Sequence, residues 1–187
     1  MTRLRAAALL LLVQLVVVSS VAAKYLYERR TCPRIWTPSA QYDPNQPLRG
    51  RYLALQVLVD ACHLPRDSAH FQRYMPYGVR PFSVRTTGYW TWYVSLRVEN
   101  GHLVPVLQDH PRNPSDTLRL TLADDRPCDR VPVSQSLEYF IPDRAQSPFP
   151  LKPGQELWVE VTLPPSGPPR PIQVALSSKS GFRPLTF

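Results

Sequence analysis

Along most of the chain, hydrophobic residues alternate with polar ones, which is the pattern of β-strands that bury one face. The alternation is clearest over 51–59, 89–98 and 156–163. Shorter runs of the same kind cover 103–107, 117–122, 136–141 and 172–176. In the segment with the most regular pattern, the apolar positions are Leu157, Val159, Val161 and Leu163. The pattern therefore predicts a domain built from many short strands.

A turn signal separates two of these strands. Asn100-Gly101 lies between the apolar runs 89–98 and 103–107. Both central residues of a type I′ turn need positive φ, and Asn-Gly meets that need at low cost. The two runs are therefore predicted to form a hairpin. Pro105 in the second run indicates a strand at a sheet edge, because proline cannot donate a ladder hydrogen bond.

The proline content limits helices. The chain has 22 prolines and 7 glycines among 187 residues, and the prolines recur from Pro33 to Pro184. A proline inside a helix costs roughly 3 kcal/mol, so no long helix is expected after the N-terminal segment. Short strands joined by turns accommodate them. The predicted fold class is all-β, as an antiparallel sandwich or a partly open barrel.

The N-terminus is apolar. Residues 6–23 carry no charge, and such a stretch of about 18 residues is near the lower length limit for a membrane-spanning helix. A cleaved signal peptide fits as well, since Arg3 and Arg5 precede the apolar part and Val21-Ala22-Ala23 resembles a cleavage site before Lys24. Either interpretation targets the chain to a membrane.

Orientation and boundaries follow less directly. Basic residues after the apolar stretch outnumber those before it, which alone slightly favours a cytoplasmic domain. The signal-like architecture and the lack of a second apolar stretch favour export, which we adopt. Residues 24–48 contain four prolines and are predicted to form an extended stalk. Residues 49–187 are predicted to form the β-rich extracytoplasmic domain.

Three cysteines fit an exported domain. Cys62 follows a strong strand and Cys128 lies in a polar turn, so we predict that these two pair, although sequence alone does not fix the connectivity. Cys32 then remains free or joins two chains. The net charge of +8 suggests attraction to anionic surfaces, but we favour an ordinary solvated surface rich in arginine as its explanation.

Catalytic and metal-binding patterns are weak. The four histidines lack the close spacing of zinc ligands, so no metal or cofactor is predicted, and Cys62-His63 is no evidence of a catalytic dyad. Glu156 and Glu160 flank Trp158 on one strand face, which is the best candidate for a sugar-cleaving pair. Tyr89 and Tyr93 lie on the strand face opposite to that of Trp90 and Trp92, and they form a candidate ligand patch.

One segment carries a family resemblance. Gly50-Arg51-Tyr52-Leu53-Ala54-Leu55, with a later Tyr139-Phe140-Ile141-Pro142, resembles the GDYXXLXP family, which comprises bacterial membrane-anchored proteins of unknown function. Arg51 replaces the Asp of that motif, and Val57 stands where the motif ends in Pro. We interpret Gly50, Tyr52 and Leu55 as structural positions that turn the chain into a strand. Tyr139 and Pro142 would complete the motif.

The resemblance implies an uncleaved anchor over residues 1–23 and a single-pass protein of the cytoplasmic membrane. The expected function is a non-enzymatic accessory or interaction domain in the bacterial cell envelope. Its expected partners are the bilayer, through residues 6–23, and a multi-pass membrane protein or another envelope component, with no nucleic acid. The alternatives are a membrane-attached envelope hydrolase and a periplasmic ligand-binding module.

Overall fold

The computed structural model describes residues 2–42, 52–73, 88–108, 117–142 and 148–186. The chain forms two compact units, Met1–Pro33 and Arg34–Phe187. The first consists mainly of one helix, and the second is built from strands. Each unit is described by itself below.

Helix α1 (Thr2–Thr31) is long and apolar enough to cross a membrane. Its candidate span, Arg5–Thr31, has 27 residues, which at 1.5 Å per residue is about 40 Å and exceeds the roughly 30 Å of a hydrocarbon core. Leucine and valine side chains are exposed along it. The helix continues about two turns beyond the charge-free stretch, past Lys24, and ends at Thr31, two residues before Pro33.

Ten strands follow in the described residues. They are β1 (Arg34–Gln41), β2 (Tyr52–Val59), β3 (Phe71–Arg73), β4 (Gly88–Glu99), β5 (His102–Leu107), β6 (Leu118–Ala123), β7 (Val131–Phe140), β8 (Glu156–Thr162), β9 (Arg170–Ser178) and β10 (Gly181–Pro184). The strand pairs are all antiparallel. The predicted all-β antiparallel fold is therefore confirmed.

The strands form one open sheet that is not closed into a barrel. Their order is β10-β9-β8-β1-β2-β7-β6-β4-β3, and β5 pairs with β4 beside β3. Strand β7 pairs with β2 along most of its length and meets β6 at Val133 opposite Leu120. Strand β7 thus joins two parts of the sheet, one with β10, β9, β8, β1 and β2 and the other with β6, β4, β3 and β5. Because β5 also contacts β1 and β2, these two parts pack face to face.

The core lies between these two parts. Alternate residues of the strands predicted from the sequence point into it, as the period-2 pattern requires. The largest side chains without solvent exposure include Leu55, Trp92, Leu120 and Leu157. Burial of these rows of apolar side chains is the main force that holds the strands in register.

The predicted stalk over residues 24–48 is wrong in its first part. Residues up to Thr31 are helical, and Arg34–Gln41 forms β1, which pairs with β8 on one side and β2 on the other. The inner face of β1 carries Thr37 and Ser39, which hid the alternation. Their hydroxyls donate to the Leu58 and Leu157 carbonyls, both at 3.2 Å, and these bonds allow the two polar side chains to be buried. Residues 43–48 lie outside the described residues.

Three further strand features differ from the prediction. Strand β7 starts at Val131 instead of residue 136, because its first part continues the β2 ladder after an irregularity between Gln56 and Leu58. Strands β3 and β10 are three and four residues long and were not predicted. Segments this short carry too few alternating positions to be detected from sequence.

The β4–β5 hairpin turns as the sequence predicts, because Asn100 has φ 49° and Gly101 has φ 75°. We expect Gly101→Ala to lower the free energy of unfolding of the full chain by about 1–2 kcal/mol, because Ala in the left-handed region is strained. An added Cβ meets nothing within 4 Å, so the loss is purely conformational. Urea unfolding followed by circular dichroism measures it. Asn100→Gly is the control and should change stability little; an unchanged midpoint in Gly101→Ala would contradict the assignment.

Candidate groove between the sheet and the hairpin

A groove lies beside the β4–β5 hairpin in the β unit, and we call it the hairpin groove. Its volume is about 580 Å³. It forms where the start of β1 and the end of β2 come next to the hairpin tip. Strands β1 and β2 pair from Ser39 to Gln41, and the groove lies beyond this paired part, at the start of β1 and the end of β2.

Two tryptophans form one wall of the groove. Pro38 pairs with Trp158 across β1 and β8, which places Trp36 and Trp158 on the same outer face of the sheet. Phe182 of β10 packs edge-on against both, at centroid distances of 4.9 Å from Trp36 and 6.1 Å from Trp158. The indole Nε1 of Trp158 is buried with no acceptor among the described residues. These contacts hold the aromatic wall in place while leaving part of it open to solvent.

The disulfide fixes another side of the groove. Cys62 and Cys128, the pair predicted from sequence, are joined with an S–S distance of 1.98 Å. The Ala61 N–H donates to the Cys128 carbonyl at 2.9 Å, which continues the pairing of β2 with β7. Asp60 and Asp129, which lie between the bridge and the two strands, both belong to the groove lining.

Exposed carboxylates dominate the charge of the lining. They belong to Asp60, Glu99 and Asp129, whereas Arg130 is the basic residue among the lining side chains. The Arg130 Nη2 donates to the Glu156 Oε1 at 2.8 Å, so its charge is already paired. The hairpin groove thus has an excess of negative charge.

One carboxyl with a shifted pKa lies outside the groove. The hydrogen bond from His70 Nδ1, at 2.6 Å, holds the pKa of Asp67 below its ordinary value. Asp67 is in the turn before β3, and its side chain also accepts the Ala69 N–H. This arrangement stabilises the turn and does not belong to the groove lining.

The two segments that carry the family resemblance lie side by side. Tyr52 is opposite Phe140 and Leu53 is opposite Tyr139 on strands β2 and β7. Leu55 is fully buried in the core, the ring of Tyr52 lies 6.4 Å from that of Phe140, and Tyr139 packs against the core. The next proline along the chain, Pro142, is exposed, while Gly50 and Arg51 lie outside the described residues. Tyr52, Leu55 and Tyr139 thus contribute to packing and strand pairing.

The two tyrosines of the candidate ligand patch differ in exposure. Tyr93 is 49% exposed and faces out of the sheet opposite Arg119, whereas Tyr89 is half-buried opposite Ala123. Strand geometry places their Cα atoms about 13 Å apart, with Thr91 between them. Tyr93 is therefore the more accessible of the two rings.

The glutamates of the hydrolase alternative, Glu156 and Glu160, lie on β8 with Trp158 between them, and strand geometry places their Cα atoms about 13 Å apart. Glu156 forms an ion pair with Arg130 at 2.8 Å, so its carboxylate is already engaged. The hydrolase alternative stays a prediction.

Metal ligands do not cluster in the part of the chain that the structure describes, where no group of three or more His, Cys, Asp or Glu is placed to hold an ion. His63 of the groove donates from Nε2 to the Pro105 carbonyl at 2.9 Å. This hydrogen bond connects the loop after β2, which carries Cys62, to β5. Cys32, just after α1, is not in a disulfide.

Comparison with protein-family models, curated proteins and solved structures finds no match. The resemblance to the GDYXXLXP family therefore rests on the residues quoted above. The groove residues were missed by sequence reasoning, except for Trp158. No sequence pattern links them, because Trp36, Asp60, Glu99 and Asp129 lie on or beside four different strands. They come together only through strand pairing.

Proposed function

We propose that the protein is a membrane-anchored binding domain, with α1 as an uncleaved anchor and the β unit exposed on the outer face of the bacterial cytoplasmic membrane. It acts as an accessory to an envelope component or a multi-pass membrane protein, and no catalysis is assigned to it. The length and composition of α1 support the anchor.

The observation that carries the proposal is the Cys62–Cys128 disulfide in the β unit. Disulfides form and persist in oxidising compartments and are rare in the cytosol. This supports export and outweighs the basic residues after the apolar stretch, whose count favours the opposite orientation. The hairpin groove supports a binding role, since concave surfaces with aromatic walls are typical of ligand sites.

Membrane fractionation tests the anchor and the compartment together. We expect the full chain, expressed in a bacterial host, to stay in the membrane pellet after an alkaline carbonate wash. A non-reducing gel should show it oxidised, because the β unit folds outside the cytosol. Mass spectrometry of the recovered protein should give the mass of the full-length chain, which would show that the segment before Lys24 is retained.

A matched variant controls for non-specific adsorption of the chain to the membrane pellet. Leu11→Arg with Val16→Arg places two charges in the middle of α1, each costing about 2.5–3.5 kcal/mol at a helix centre. This variant should appear in the soluble fraction with reduced thiols. Recovery of the unmodified chain in the soluble, reduced state would contradict the proposal, as would a product that starts at Lys24.

A further inference from the structure

We infer that the hairpin groove binds the cationic side chain of lysine or arginine on an extended segment of a partner protein. The inference rests on the proposed function, because it names the class of partner that the binding domain would take. Its basis is the combination of unpaired carboxylates with a tryptophan wall in one open groove.

Local charge favours a cation in the groove. Three carboxylates line it, and Arg130 is compensated by Glu156. Neither Glu99 nor Asp129 has a hydrogen-bond partner among the described residues. The net charge of the whole chain is +8, which opposes a basic partner at long range. At physiological salt the screening length is about 8 Å, so the groove carboxylates outweigh distant arginines.

The tryptophan wall favours the same ligand. Trp attracts cations over its face more strongly than Tyr or Phe does. Phe182 packs against Trp36 and Trp158, so the rings are positioned before any ligand arrives and little side-chain entropy is lost on binding. A guanidinium group suits the site especially, because it stacks on an indole and donates to carboxylates at its edge.

The position of the carboxylates is also fixed. Asp60 and Asp129 border the disulfide, and Asp60 Oδ1 already accepts the Cys62 N–H at 2.8 Å, which orients its carboxylate. Glu99 lies at the end of β4, opposite His102 in the hairpin. A neutral saccharide would also stack on the tryptophans, but it would not use an excess of negative charge. Dependence on ligand charge therefore separates the two ligand classes.

The test uses the full chain in an uncharged detergent and the peptide acetyl-Gly-Arg-Gly-Arg-Gly-amide. The comparators are the same peptide with citrulline in place of arginine, and a neutral N-acetylglucosamine trimer. Calorimetric titration should give a Kd at least tenfold lower for the arginine peptide than for the citrulline peptide. Binding should weaken in high salt, because the contact is ionic.

Two double variants locate the site. Glu99→Gln with Asp129→Asn should raise the Kd for the arginine peptide about tenfold. Asp124→Asn with Asp125→Asn removes the same charge from the exposed turn after β6, outside the groove lining, and should leave the Kd unchanged. An oxidised disulfide and an unchanged circular dichroism spectrum would show that each variant is folded.

Equal affinity for the arginine and citrulline peptides would overturn the inference. So would preference for the saccharide, or equal effects of the two double variants. These results leave the proposed function standing when the chain is still membrane-bound and oxidised, whereas a soluble, reduced chain refutes the proposed function itself.

Discussion

Trp92→Ala is expected to lower the free energy of unfolding by about 3–5 kcal/mol, the largest effect of any single substitution considered. Trp92 has no solvent exposure and is the largest of the fully buried side chains. Its indole packs parallel to that of Trp90 at 6.3 Å, and its Nε1 donates to the Pro65 carbonyl at 2.8 Å. Removing it leaves a cavity between the two parts of the sheet and an acceptor without its donor.

Urea unfolding of the full chain in detergent, followed by circular dichroism, measures this loss. Trp92→Phe separates the contributions, because it keeps most of the packing but removes the hydrogen bond, and should lose less than Ala does. Tyr93→Ala is the matched control, since Tyr93 is the neighbouring aromatic residue on the exposed face. Equal losses for Trp92→Ala and Tyr93→Ala would contradict the placement of the core.

Removing the disulfide is expected to have the second largest effect. Cys62 and Cys128 are 66 residues apart, and the chain-entropy model gives about 4 kcal/mol for a loop of this size, within the usual range of 2–5 kcal/mol. Cys62→Ala with Cys128→Ala should lower the free energy of unfolding by this amount. The bridge also ties the end of β2 to the start of β7, so the variant should loosen the adjoining groove.

Urea midpoints of the oxidised chain, the double variant and Cys32→Ser test this effect. Cys32→Ser leaves the bridge intact and should unfold like the unmodified chain. Addition of a reductant should destabilise the unmodified chain and leave the double variant unaffected. A double variant as stable as the oxidised chain would show that the bridge contributes nothing to stability.

Much of the fold follows from local pattern. Strands β2, β4 and β8 bury one face of apolar side chains, and their alternation predicts both their existence and their inward face. The Asn100-Gly101 turn is equally local, because positive φ at both positions is a property of those residues. Such features need no knowledge of the rest of the chain.

The features that sequence reasoning missed depend on distant partners. Strand β1 buries Thr37 and Ser39, which is acceptable only because carbonyls of β2 and β8 accept their hydroxyls. The groove likewise needs the hairpin tip, the start of β1 and the disulfide loop to meet. Residues as far apart as Trp36 and Asp129 become neighbours through strand order, and one sequence does not specify that order.

Protease treatment of intact spheroplasts tests the central claim most directly, namely that α1 holds the β unit on the outer side of the membrane. The full chain is probed by immunoblotting before and after lysis. The Trp92→Ala variant of the full chain is used, because its lower stability makes the β unit susceptible to proteolysis. We predict that protease added to intact spheroplasts, without reductant or urea, digests the β unit of this variant while a cytosolic marker survives. Protection of the β unit until the spheroplasts are lysed would contradict the account.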